Sequence, residues 1–224
     1  MAEERWERLG AATGIIFVIL GVVAFLIGGQ PPKADDPVDQ IVSYYTENRD
    51  SVVLSGYLWG AAGIFFLWFL GSLRAHLRVA EGDAGRLSAV VFGSGLLLGG
   101  FFLAGMVTNT ALGFDIAGAA SPEVSAAFFS QASQAFAFVG FFVVVFAGAT
   151  SLVSGRTKLL PAWLGWLGWL VALSGAGGTA AVFMESGAFA TGGAYTNIGF
   201  GLFFLWLLAL AATLTQQVGK PARG

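Results

Sequence analysis

Six stretches of this chain are each long enough to cross a bilayer's hydrocarbon core, which takes ~20 helical residues, and they carry almost no charge. They run Leu9–Gly29, Ser51–Leu73, Leu87–Thr110, Ala126–Ser151, Trp163–Met184 and Ile198–Leu214. Hydrocarbon offers no water to backbone N–H and C=O groups, so such stretches must fold as helices that bond internally. The sequence therefore predicts an all-α polytopic membrane protein, a single domain over residues 1–224 with six transmembrane helices. No segment is left over for a soluble domain. With 56% hydrophobic and 11% charged residues, the chain cannot coat a water-soluble globule. Its 33 glycines and 21 phenylalanines suit tightly packed membrane helices, where small residues admit close backbones and rings fill the gaps. The first stretch follows a mixed-sign N-terminus, Met1 to Arg8, and is too long for a signal core, so it reads as a retained span.

Basic residues near span ends are retained on the cytoplasmic side. Arg5, Arg8, Arg74, Arg78, Arg86, Arg156, Lys158, Lys220 and Arg223 fall in the N-terminus, the second and fourth loops and the C-terminus, whereas Lys33 and Arg49 fall in the first loop. This sorting predicts an even number of spans with both termini cytoplasmic. The opposite face then carries Asp35, Asp36, Asp39, Glu47, Asp50, Asp115, Glu123 and Glu185.

The first outer loop has a pattern of its own. Gln30-Pro31-Pro32-Lys33 breaks the preceding helix, and Asp36 before Pro37 reads as a helix cap. Val38, Ile41, Val42 and Tyr45 follow at helical spacing, which predicts a short amphipathic helix over about 36–48. It serves either as a lid on the bundle or as an interfacial strut. Gly63-Ile-Phe-Phe-Leu-Trp-Phe-Leu70 matches Gly201-Leu-Phe-Phe-Leu-Trp-Leu-Leu208, with a looser echo in Gly140–Phe146, which is either a repeat of hairpins or a chance match in a chain this rich in glycine, phenylalanine and leucine. All three lie in even-numbered spans, as three parallel hairpins would require.

Charge at mid-bilayer marks pumps and voltage sensors because it is costly to keep there, and every charged residue here sits at a span end or in a loop. Central-carboxylate antiport, voltage sensing and a retinal-type Schiff base are thereby excluded. Cysteine is absent and His76 is the sole histidine, in Arg74-Ala-His76-Leu-Arg78, so no metal or haem set is expected and no cofactor is implied. His76, Arg74 and Arg78 suit contact with lipid headgroups. A net charge of −2 offers nothing to nucleic acid.

The feature with most chemical content is a band of uncharged polar residues in the outer half of the spans: Thr108, Asn109 and Thr110, then Ser130, Gln131, Ser133 and Gln134, with Asn197 at a similar depth. Amides in hydrocarbon need partners. If Asn109, Gln131, Gln134 and Asn197 converge, with Asp115 and Glu185 at the rim, they outline a ligand site; otherwise they bond helix to helix. Ser174-Gly-Ala-Gly177-Gly178-Thr179 marks either a break in the fifth span or a close helix crossing, and Gly56-x-x-x-Gly60 and Gly95-x-x-x-Gly99 are packing motifs.

Arg156-Thr-Lys-Leu-Leu-Pro161-Ala-Trp163-Leu-Gly165-Trp166 resembles the basic, proline-tryptophan-glycine start of a late span in bacterial, chiefly actinobacterial, six-helix membrane proteins classed as domains of unknown function. The segment Asp36–Arg74 is similar as well. The resemblance implies a bacterial cytoplasmic-membrane protein and supplies no site residues. The functional expectation is binding or transport of a small neutral or lipophilic ligand through the outer polar band. The alternatives are an accessory subunit, associating with itself or with another membrane protein, and a lipid-directed enzyme using Asp115 and Glu185. Because the chain has no native cysteine, its orientation is directly measurable: in intact cells an impermeant thiol reagent should label Glu185→Cys and leave Arg156→Cys unlabelled until the membrane is opened, and the reverse pattern would invert the topology.

Overall fold

Each apolar stretch is helical, and most of the helices outrun their apolar cores because flanking polar residues continue the hydrogen-bond ladder. In the computed structural model, which describes residues 2–33, 35–82 and 84–217, the elements are α1 (Ala2–Gly28), α2 (Val38–Glu47), α3 (Arg49–Glu81), α4 (Arg86–Ala111), α5 (Pro122–Thr157), α6 (Ala162–Gly178) and α7 (Ala194–Gln217). A π-helical turn, Leu112–Ile116, and a short α turn, Ala117–Ala119, prolong α4, and a 3-10 turn, Thr179–Phe183, prolongs α6. Six of these helices, all but α2, are long and apolar enough to span a membrane, so the chain is an all-α, multi-pass membrane protein. Lys220 and Arg223, counted above among the basic residues, lie outside the described residues.

The six long helices form a ring in chain order, each packed antiparallel on the next, and α7 closes it against α1. Glycine sets the spacing at every interface. Gly14 of α1 admits Phe69 of α3 and Ala211 of α7, and Gly21 admits Trp59 and Phe204. Gly95 of α4 receives Leu70, Gly105 receives Phe136 of α5, and Gly168 of α6 receives Trp206 of α7. Between α5 and α6 the backbones themselves touch, at Gly140 and Gly175. Both small-xxx-small motifs are thus spent inside the chain, Gly56 on Thr110, Gly95 on Leu70 and Gly99 on Phe66, although Gly60 faces open space. Exposed Ile19, Leu26, Ile64, Leu97, Val107, Leu173 and Leu205 coat the outside of the ring with apolar surface suited to acyl chains.

The alternating path puts Arg5, Arg8, Arg74, Arg78, Arg86, Arg156 and Lys158 at one end of the ring, called here the basic end, and α2 with Asp36, Asp39, Glu47, Asp50, Asp115, Glu123 and Glu185 at the other. Trp6, Trp163 and Trp166 are exposed at the basic end, as residues of an interfacial belt are. There the carboxylate of Glu81 accepts the Leu87 and Ser88 N–H groups at 2.8 and 2.9 Å, capping α4. His76 donates through Nδ1 to the Ser72 carbonyl, 2.8 Å away, and Arg74 lies over the Phe92 ring.

The start of α2 differs from the sequence expectation. The helix begins at Val38 with Pro37 in the capping position and no side-chain cap. The Asp36 carboxylate turns back instead and accepts the Lys33 N–H at 2.7 Å, tightening the loop rather than the helix. The glycine cluster of the fifth span also stays α-helical through Gly178 and only then tightens to 3-10.

The Gly140–Gly175 crossing leaves no room for a methyl group: a β-carbon on Gly140 would sit 3.0 Å from the Gly175 carbonyl oxygen. Gly140→Ala should therefore cost about 1–3 kcal/mol, read as a lower unfolding temperature in detergent. Gly71→Ala, where nothing lies within 4 Å, should leave stability unchanged or slightly raised.

Candidate functional site

In the half of the ring nearest α2, the helices enclose a cavity of about 490 Å³. Its wall is aromatic. Trp59 of α3 meets Phe102 of α4 edge-on with ring centres 4.6 Å apart, and Phe200 of α7 stacks near Phe204 at 4.5 Å. The repeated sequence helps build it: Phe66, Val143 and Phe204, third after the glycine in each copy, all line the cavity. Three residues further on, Phe69, Phe146 and Leu207 are fully buried towards the basic end. Equivalent positions in alternate spans thus present side chains to one central space.

Polar groups collect where the cavity approaches α2. Asn109 of α4 and Ser133 of α5 line it from one side, and Thr191, Tyr195 and Asn197 from the other. Among the described residues no charged side chain lines it, and apart from Tyr45, Trp59 and Trp206 the buried side chains with polar groups are serines and threonines. Several of these satisfy themselves locally, as Thr150 does by donating to the Phe146 carbonyl at 2.7 Å. Ser55 instead bridges helices, donating to the Ala24 carbonyl at 2.8 Å.

Two tyrosines pin α2 over this end. The Tyr44 hydroxyl donates to the Gly28 carbonyl at 2.6 Å, using an acceptor that the end of α1 leaves free, and the ring lines the cavity. The Tyr45 hydroxyl donates to the side-chain carbonyl of Asn109. Ile41 and Tyr45 are buried against Val52, Leu112, Ala117 and Phe129. Desolvation raises the Tyr44 hydroxyl above its ordinary pKa, and burial followed by the neighbouring Tyr44 raises Tyr45 further. The π turn beside this cluster is held from α3: Arg49 Nε donates to the Phe114 carbonyl at 2.9 Å, and its guanidinium lies over the Phe114 ring.

The α6–α7 link forms the other part of the cover. Its glycines let the chain fold back, so that Thr191 donates to the Ser133 carbonyl of α5 at 3.2 Å and Thr196 to the Ala190 carbonyl at 3.0 Å. Tyr195 reaches the Ser174 carbonyl at 3.2 Å, and only a glycine at 177 leaves space for its ring. The glycine cluster of the fifth span therefore seats a cavity-lining tyrosine.

The six residues singled out from sequence divide. Asn109 lines the cavity, and Asn197 sits on its exposed rim with Nδ2 donating to the Gly192 carbonyl at 3.0 Å. Gln131 is exposed and accepts the Thr108 hydroxyl at 2.8 Å, which ties α5 to α4. Gln134 is exposed and outside the lining. Asp115, in the π turn, and Glu185, in the α6–α7 link, are both exposed and neither lines the cavity. Sequence reasoning missed Tyr44, Trp59, Phe102 and Phe200, for which an aromatic-rich chain gives no distinguishing signal. No protein-family model, curated protein or solved structure matches this chain.

Removing one hydroxyl tests the attachment of α2. Tyr45→Phe leaves Asn109 with a lost partner, and about 1 kcal/mol of docking energy goes with it. Hydrogen exchange of residues 38–47 should accelerate while the long helices keep their protection. In the parent protein the same amides should stay protected below the ordinary tyrosine pKa of about 10 and lose protection as pH rises above it. The raised folded-state values mean that ionisation favours the undocked helix.

Proposed function

We propose that this protein binds a small, uncharged, lipophilic ligand inside the bilayer, in the aromatic cavity beneath α2, with both termini in the cytoplasm and α2 on the outer face of a bacterial membrane. The observation that carries this reading is the cavity itself. Its volume falls within the range of roughly 300–1,000 Å³ of small-molecule sites, its wall is aromatic and aliphatic, and a few hydroxyl and amide groups gather at one end. An ionised ligand would lose its hydration there without gaining a counter-charge, so a neutral one is favoured. The orientation is supported by the gathering of arginines at the end opposite α2. Transport would follow from release of the same ligand to the other side, and α2, held by two hydroxyl contacts and the buried Ile41 and Tyr45 side chains, is the element whose undocking would open the site.

The accessory-subunit reading draws less support, because the glycine motifs that prompted it are largely used within the ring. The lipid-enzyme reading draws less again, since Asp115 and Glu185 are solvent-facing on separate links.

Purified protein should show a dose-dependent rise in unfolding temperature with neutral lipophiles and a change in tryptophan emission that Trp59→Phe abolishes. Ser133→Trp, which places a large ring on the cavity wall, should weaken that binding about tenfold, equivalent to about 1.4 kcal/mol, while leaving the helical content intact. An unfolding temperature and emission that respond to no neutral lipophile would contradict the reading.

A further inference from the structure

The cavity touches the surface of the ring in two places. At the α2 end its lining includes exposed Gly29, Pro31 and Asn197. A second line of lining residues runs sideways between α3 and α4, where Leu67, Leu96 and Gly100 are exposed on the apolar outside of the ring, the two leucines at 52% and 42%. Gly63, Gly95, Gly99 and Gly100 all contribute to this seam; Gly95 and Gly99 are packed against Leu70 and Phe66, and Gly100 stands open to the outside. The contact at Gly63 is a single flexible side chain, with the position of a β-carbon 3.2 Å from Leu103 Cδ1. The molecules that coat this surface of a membrane-spanning ring are acyl chains.

We infer that the ligand is a single-chain amphiphile with an uncharged hydroxyl- or amide-bearing head, drawn from the bilayer through the seam between α3 and α4. This rests on the cavity-binding reading above and specifies its ligand and route. The seam admits hydrocarbon directly from the lipid, with no passage through water. The tail occupies the aromatic space around Trp59 and Phe102, and the head exchanges hydrogen bonds with Asn109, Ser133 and Tyr195 at the α2 end. A charged head is disfavoured by the wall, which holds no counter-charge, and an anionic one also by the acidic residues around that end. A ligand arriving from water would need the α2-end opening alone and would leave the exposed lining at Leu67, Leu96 and Gly100 without a role.

The absence of native cysteine allows the seam to be latched. In phosphatidylcholine–phosphatidylglycerol vesicles, a monoacylglycerol with a diazirine in its chain should label wild-type protein at Trp59, Met106 or Phe200 on illumination. Gly63→Cys combined with Leu103→Cys should label like wild type when reduced. When oxidised, it should load its cavity about tenfold more slowly, with unchanged labelling of outward-facing Ile64 and Leu97. Gly100→Phe, at a position with open space around it, should slow loading without any disulfide. Equal cavity loading in the oxidised, reduced and Gly100→Phe proteins would overturn access through the seam and leave the cavity reading standing. Labelling confined to the outer face, together with retained binding of a water-soluble neutral lipophile, would overturn the amphiphile alone. Labelling confined to the outer face with no binding of any neutral lipophile would remove the underlying reading as well.

Discussion

Glycine opposed to a large side chain is the interaction on which the rest of this structure depends. Lipid tails are as apolar as the helices, so no hydrophobic force draws membrane helices together, and close packing must do it. Gly14 against Phe69, Gly95 against Leu70 and Gly168 against Trp206 bring successive helices into contact around the ring, and Gly21 against Phe204 closes it. Six helices in a ring leave a centre. Towards the basic end it is filled by Phe69, Phe146, Trp206 and Leu207, all fully buried. Towards α2 the aromatic rings stand around the space without filling it.

That difference between the two halves also organises the polar groups. In the filled half, hydroxyls return to their own helices, as Thr150 does to the Phe146 carbonyl, or hold one crossing, as the Trp206 indole does at the Leu164 carbonyl. In the open half, hydroxyls and amides reach between elements: Tyr44 to α1, Tyr45 to Asn109, Thr191 to α5 and Tyr195 to α6. Their effect is to hold two covers, α2 and the α6–α7 link, across one end of an apolar space. α2 is fastened by these bonds and by the buried Ile41 and Tyr45, a smaller cluster than the one that holds the glycine-packed ring beneath it.

The architecture was legible in the sequence because bilayer thickness and backbone desolvation leave little choice for stretches such as Leu87–Thr110 or Ala126–Ser151. The site was less legible. Uncharged polar residues mark depth but not direction, and a helix turns 100° per residue, so Asn109 faces the cavity while Gln134, at a similar depth, faces out. The aromatic wall was hidden for the opposite reason. Phe102, Phe136 and Phe200 are ordinary members of a phenylalanine-rich chain, and only the closure of the ring distinguishes them from outward-facing Phe138 or Phe141. Asn109 and Asn197, singled out from sequence, do line the cavity, and the echoed glycine-phenylalanine segments supply Phe66, Val143 and Phe204 to its wall.

The central claim is that the space beneath α2 is an occupied container in the membrane. It is tested most directly by the density in a structure determined in native-lipid nanodiscs without added ligand. An elongated feature alongside the wall formed by Trp59, Phe102 and Phe200, with its polar end near Asn109, is expected. A cavity holding no such feature, or filled by a chain of ordered waters, would contradict that claim.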